Sequence, residues 1–278
     1  MSRSLLPAVA IAVLVVLSGC SGLIASNDDG PSYEAFPDAS AIDQSVFEGH
    51  AALLANTSFT VDFNTTVWRQ PPPSRTETFS GRFNGSQRVL VEPGASQYLY
   101  QPNVTILSRT CGFRAANLQS MYSKGKDVYA LMRDDNGSTV QKGSICAVFN
   151  ESSDEYLWQG WRETPMALPY SYISENVTYE RRGIETFDGV EVMRYEATGA
   201  DALSDSLRER EPALSYKDVS MTLLVDTDGV IRYFRGEVDQ VATSGDWWWN
   251  ATLVHSVTNV GSTDVKKPDW ASNVTAGS

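Results

Sequence analysis

Few side chains in this sequence could do chemistry, and their spacing argues against most of it. There are two histidines, His50 and His255. They lie far apart in sequence and show neither HxH nor HExxH spacing, so a histidine metal site is not indicated. His50 falls on an apolar helical face and His255 continues the inward row of a strand. Each reads as a satisfied core histidine, although the two could meet in the fold. Asp226-x-Asp228-Gly229 superficially resembles a calcium loop. An EF-hand needs glycine at the sixth position and here it is fourth, so a hairpin turn is the better reading. Asp134-Asp135-Asn136-Gly137 reads the same way. The chain has no GxSxG, no phosphate-cradling glycine loop and no dinucleotide fingerprint. Carboxylates abound, but no pair is singled out by an apolar surround that would raise a pKa. The expectation is a protein that is not an enzyme and holds no metal and no cofactor.

The cysteines carry a different chemistry. Arg3 supplies a positive start, Leu5 to Leu17 is an apolar run broken only by Pro7, and Leu17-Ser18-Gly19-Cys20 closes it with small residues before a cysteine. That is the form of a signal peptide over 1–19 with a lipobox, in which Cys20 becomes the lipid-bearing first residue. The other reading is a plain signal peptide, or an uncleaved anchor, with an incidental cysteine. The apolar run is short for a spanning helix, which needs about 20 residues. Two acyl chains on Cys20 would hold the protein stably to a membrane where one would be marginal. Removing Cys20 leaves Cys111 and Cys146, which an exported chain would join as a disulfide. No CxxC spacing is present.

Surface chemistry agrees with export. Nine of the twelve asparagines begin Asn-x-Ser/Thr sequons: Asn56, Asn64, Asn84, Asn103, Asn136, Asn150, Asn176, Asn250 and Asn273. Composition alone would place roughly two there, so selection for glycosylation is one reading and a Ser/Thr/Asn-rich β-protein the other. Acidic residues number 34 against 22 basic ones, a net charge of −12. Such a surface repels phosphate, which disfavours nucleic acid as a partner. It also keeps a protein soluble at high salt.

These features need elements to position them. Residues 20–40 read as a flexible tether after the lipidated Cys20, with Ser, Gly, Asn, Asp and Pro dominating. Ile42 to Asn56 reads as a helix with Ile42, Val46, Phe47, His50, Leu53 and Leu54 on one face. The period then changes to two: Phe59, Val61, Phe63 and Val67 alternate with polar residues. The same alternation runs through Val219 to Val225 and Trp247 to Val257, with the Asp226–Gly229 turn after the former. Further strands are expected near 76–92, 97–108, 127–133, 139–149, 176–187 and 190–198. Short helices are expected near 152–162, opened by Ser152-x-x-Glu155, and near 201–210. Trp158 and Trp161 fall on the first of these. In the Trp247-Trp248-Trp249 run, Trp248 shares the polar face with Asn250; it reads either as a stacking surface for a sugar or partner or as a residue lying under a loop. The expected fold is α+β and mainly β, a curved antiparallel sheet wrapping a few helices. One domain spans 41–272, and 273–278 form a disordered end.

Lipobox, acidic tether, amphipathic helix and long antiparallel meander together resemble the LolA/LppX-like half-barrel proteins. A closer likeness is to haloarchaeal surface lipoproteins of unknown function. It is carried by His50-Ala-Ala-Leu53-Leu-Ala-Asn-Thr-Ser-Phe59-Thr, by Leu224-Val-Asp-Thr-Asp-Gly229-Val-Ile-Arg-Tyr233 and by Lys267-Pro-Asp-Trp270. The resemblance implies helices on the concave side of the sheet and acyl chains held between the two. It transfers no ligand contact to a particular residue here. The expected function is therefore binding or carriage of an apolar ligand, a lipid, by an anchored protein at the extracellular face of the cell membrane. Leu53, Phe63, Leu223, Trp247 and Trp249 form the candidate apolar face. The alternative is a structural module with a filled core whose outer face meets envelope proteins or glycans.

Overall fold

The computed structural model describes residues 31–70, 81–102, 118–125, 127–134, 137–143, 171–210, 212–245 and 248–272. Cys20, Cys111, Cys146, Trp158, Trp161, Trp247, Asn103, Asn136, Asn150 and Asn273 lie outside them. So do the signal segment and the helix expected over 152–162.

The change of hydrophobic period after Asn56 marks the start of one large sheet. Its strands are β1 (Phe59–Gln70), β2 (Gly81–Val91), β3 (Gln97–Pro102), β4 (Leu118–Lys124), β5 (Asp127–Asp134), β6 (Gly137–Gly143), β7 (Glu180–Phe187), β8 (Val190–Thr198), β9 (Leu214–Asp226), β10 (Ile231–Ala242) and β11 (Trp248–Thr258). The order across the sheet is β6-β5-β4-β3-β2-β1-β11-β10-β9-β8-β7. Two meanders thus run outward from a central seam, where β1 pairs antiparallel with β11. The sheet does not close into a barrel, and β6 and β7 are its edges. This is the mainly β half-barrel expected.

The main helix, α1 (Gln44–Ala55), is set by its entry. Asp43 has extended backbone and its carboxylate accepts from the Ser45 backbone N–H at 2.8 Å, an N-cap that satisfies one of the helix's orphan donors. Ile42 precedes the cap and Phe47 follows one turn in. Both are buried in the same cluster, as in a hydrophobic staple. The helix therefore starts two residues after the position that apolar spacing alone suggested.

Side chains alternate between an inner face, which receives α1, and an outer face. The register draws one row across six strands of the inner face: Gln87, Phe63, His255, Phe234, Leu223 and Tyr195. The β7–β10 half packs into one cluster with Phe36, Ile42 and Phe47. The β1–β5 half packs with Leu54 into a second. Phe36 belongs to the first cluster, and Arg181 on β7 donates to the carbonyls of Phe36 and Pro37 at 2.8 and 2.6 Å. The tether expected to run to residue 40 therefore ends earlier, because Phe36 has an apolar site and its carbonyl a guanidinium donor.

β4 carries no alternation and was not expected as a strand. Met121 faces the second cluster, whereas Tyr122 faces a third cluster on the outer side. That cluster is closed by Val265, Trp270 and Ala271 of the C-terminal segment, which ends in α4 (Asp269–Ser272). Glu92 accepts from the Val265 N–H at 3.1 Å, and Lys267 lies over the Tyr129 ring at 4.6 Å. A strand covered on both faces reads as a continuous buried run rather than as in-out alternation. The region near 201–210 holds a 3-10 turn (Ala200–Ala202) and α3 (Asp205–Arg210); α2 (Ser171–Ser174) precedes β7.

Candidate functional site

The two histidines do meet. His50 projects from α1 and His255 from β11, both are buried, and His255 lies close enough to act on the His50 ring. His50 Nδ1 accepts a hydrogen bond from the Ile231 backbone N–H at 3.1 Å. The proton of the neutral ring therefore sits on Nε2, which has no hydrogen-bond partner among the described residues. Burial first, and then His255 and the Arg232 cation, push the His50 pKa from 6.5 down to about 3. A ring that stays neutral at ordinary pH, with its acceptor already used, is a structural histidine. Among the described residues no three His, Cys, Asp or Glu side chains are grouped to hold a metal ion.

A buried ion pair that sequence reasoning missed lies beside them. Asp226, at the end of β9, is 1% exposed and Arg232 is 7% exposed. The Asp226 carboxylate accepts from the Val230 N–H at 2.8 Å, the Asp228 N–H at 3.0 Å and Arg232 Nε at 2.6 Å. The turn expected at Asp226–Gly229 is present, with Gly229 at φ +87°. Register slips between Ile231 and Tyr233, so Arg232 occupies a β-bulge. A bulge re-aims a side chain, and here it directs a guanidinium back to the turn carboxylate. The clue available in the sequence was an Asp and an Arg flanking a tight turn.

The five residues of the candidate apolar face separate. Leu223 is sealed in the first cluster, and Phe63 and Trp249 are half-buried against it. Trp247 is outside the described residues. Leu53 does not join them. It is 41% exposed, and its Cδ1 lies beside Gly229 in the β9–β10 turn. The helix buries Phe47, His50 and Leu54. At about 100° per residue Leu53 falls roughly 90° from the middle of that face, so it borders the core rather than entering it.

Cover over the inner face is uneven. Phe59 and Val61 on β1, Val257, His255 and Leu253 on β11, and Phe234 on β10 are all buried. On the same inward rows Phe63, Thr65, Val67 and Trp249 are only half-buried, while Ala251, Val238 and Gln240, which pair with Val67, Ala251 and Trp249, are buried. The described arrangement is thus an apolar sheet face sealed over β10 and most of β11 and partly accessible along β1 from Phe63 and at Trp249. The half-buried side chains it presents are mostly apolar.

The sequon asparagines also sort by environment. Asn56 caps α1 and its Nδ2 donates to the Ala52 carbonyl at 3.0 Å. Asn176 accepts from the hydroxyls of Ser204 and Ser206. Asn64, Asn84 and Asn250 instead stand on the outer face of the three central strands.

Fold and site together define an open, mainly β half-barrel with one principal helix laid on its inner face among the described residues. Residues 164–274 match the model described as "Family of unknown function (DUF7537)", a span that holds β7–β11. No curated protein matches the chain. Among solved structures, LprF from Mycobacterium bovis is similar at 12% identity, covering 87% of this chain and 99% of that one, with a TM-score of 0.36. The MucA/MucB complex of Pseudomonas aeruginosa is similar at 12% identity, covering 83% of this chain and 59% of that one, with a TM-score of 0.34. A putative outer membrane lipoprotein-sorting protein domain from Vibrio parahaemolyticus is similar at 10% identity, covering 85% of this chain and 98% of that one, with a TM-score of 0.24.

Proposed function

We propose that this chain is a lipid-anchored, non-catalytic envelope protein that holds the acyl part of a membrane lipid against the inner face of its sheet. The uneven cover of that face carries the reading. Phe63, Val67 and Trp249 lie in the same apolar rows as sealed residues, yet remain half-buried. Each methylene of a hydrocarbon chain buried there would contribute about 0.8 kcal/mol. The occupant is a membrane lipid because the anchor keeps the domain beside the membrane. The stretch from Cys20 to Phe36, about 16 residues, reaches at most ~55 Å when fully extended. Leu223 and Leu53 have no part in this contact: the first is core and the second lies at the β9–β10 turn.

The test is solvent extraction of the full-length protein, purified from membranes in mild detergent, followed by lipid mass spectrometry against a detergent-only control. Wild type is expected to release co-purified lipid in stoichiometric amount. Trp249→Asp and Phe63→Asp are expected to abolish it with the circular dichroism spectrum unchanged, because a carboxylate facing hydrocarbon is costly to desolvate. A folded wild-type protein that carries no lipid overturns the reading and favours the filled-core interaction module. Should either Asp variant fail to fold, Trp249→Gln and Phe63→Gln provide the same comparison without a charge.

A further inference from the structure

The sequence shows Asn64, Asn84 and Asn250 as three separate sequons. The register makes them one patch. On the outer face Asn84 pairs with Thr66, and Thr66 pairs with Thr252. Asn64 pairs with Ser86, and Asn250 pairs with Trp68. The hydroxyl residues in this list are the sequon partners themselves: Thr66 for Asn64, Ser86 for Asn84 and Thr252 for Asn250. The reason is geometric. A sequon has a period of two, so in a strand its Asn and its hydroxyl project from the same face. Adjacent strands are about 4.8 Å apart and each residue rises about 3.3 Å, so the three asparagines, at successive levels two residues apart, lie within about 15 Å of one another. Asn64 and Asn84 are exposed and Asn250 is half-buried.

An aromatic surface adjoins the patch. Trp68 is 55% exposed and stands directly opposite Asn250, which puts their Cβ atoms about 5 Å apart. Its ring packs edge-to-face on Trp248, with centroids 5.0 Å apart and planes at 81°. Trp248 is fixed in turn by donation from Nε1 to Gln70 Oε1 at 2.9 Å. An exposed, pre-oriented indole beside a sequon is an apolar surface with an obvious local occupant, the sugar attached to that sequon.

We propose that Asn64, Asn84 and Asn250 carry N-linked glycans as a single cluster on the outer face of β2, β1 and β11, and that the first sugar on Asn250 packs on Trp68. In the transfer, the Asn amide nitrogen forms a bond to C1 of the sugar. The bond from C1 to the phosphate oxygen of a polyprenyl-phosphate-linked oligosaccharide breaks, the phosphate leaves with the electron pair, and the amide proton passes to solvent. β1 is hydrogen-bonded on both sides, so transfer to Asn64 acts on the chain before the sheet forms. Asn56, whose amide nitrogen is engaged by Ala52, lies apart from this cluster. The inference rests on export of the chain and not on the carrier reading, since it concerns the opposite face.

The experiment is glycopeptide mass spectrometry of the full-length protein from its native membranes. The peptides containing Asn64, Asn84 and Asn250 are each expected to carry a sugar increment, lost singly in Asn64→Gln, Asn84→Gln and Asn250→Gln. Unmodified asparagine at these three positions in the mature protein overturns the cluster. For the stacking contact, Trp68→Ala is expected to lower Tm by about 2–4 °C more in the Asn250-glycosylated protein than in the Asn250→Gln background. An equal shift in both backgrounds overturns the contact while leaving the modification standing. Loss of co-purified lipid plays no part in either readout.

Discussion

His50 on α1 accepts a hydrogen bond from the backbone N–H of Ile231 on β10 at 3.1 Å, across 181 positions of sequence. The bond ties the principal helix to the start of β10 and makes the helix seat sensitive to the charge of one ring. The His50 pKa is pushed down to about 3 by burial, with His255 and Arg232 adding to it, against an ordinary 6.5. The unfolded chain therefore binds a proton below pH 6.5 that the folded chain refuses until about pH 3. Stability from this group is fully present above 6.5 and is lost as pH falls through that window. Between pH 7.5 and 5 the loss from His50 is about 2 kcal/mol. His50→Gln, which keeps an acceptor, is expected to flatten the decline by that amount in urea unfolding. Parallel curves for wild type and variant would show that His50 does not resist protonation in the fold.

The Asp226–Arg232 pair gives an asymmetric prediction. Asp226 accepts two backbone N–H bonds as well as the guanidinium, so it keeps partners when Arg232 is lost. Arg232, 7% exposed, would be left as a buried cation without its carboxylate. Asp226→Ala is expected to destabilise by about 3–5 kcal/mol and Arg232→Met by less. The double variant is expected to be more stable than the sum of the two losses implies. Additive losses in chemical denaturation would remove the pair as a coupled unit.

Gly236 shows a crowded site on the inner face. An added Cβ would lie 2.7 Å from Phe234 Cζ and 3.0 Å from Met221 Sδ. Gly236→Ala is expected to destabilise by about 1–3 kcal/mol through overpacking. Gly49, inside α1, has nothing within 4 Å of that position. Gly49→Ala is expected to stabilise by up to about 1 kcal/mol, because alanine loses less backbone freedom in a helix. Thermal melts of the two variants should move in opposite directions, and a shared direction contradicts the packing described.

The anchor prediction stands on Leu17 to Cys20. Cys20→Ser is expected to release the protein from the membrane fraction or to leave an uncleaved precursor, read by fractionation and intact mass. Normal processing with full membrane retention would remove the lipid from Cys20.

Much of the fold was legible because it is written in short-range periods. The alternation from Phe59 to Val67 located β1, and the Asp226–Gly229 turn was recognisable from residue types alone. Strand β4 was not, since Met121 and Tyr122 are buried on opposite faces and leave no polar phase to count. Leu53 shows the limit of a helical face drawn from sequence. Spacing placed it with His50, and only the position of the β9–β10 turn showed that it borders the core.

By itself the sequence determined the net acidic charge, the α1-then-strand order and the inward or outward phase of β1, β9 and β11. Each of these depends on residues within a few positions of one another. Tertiary structure alone decided that β1 and β11 form the central seam, that His50 meets His255 and Ile231, and that the sequons of Asn64, Asn84 and Asn250 share one patch. Those relationships depend on which strands pair and in what register. Register between strands about 190 residues apart is fixed by burying both inner faces together, a collective packing energy that no local pattern encodes.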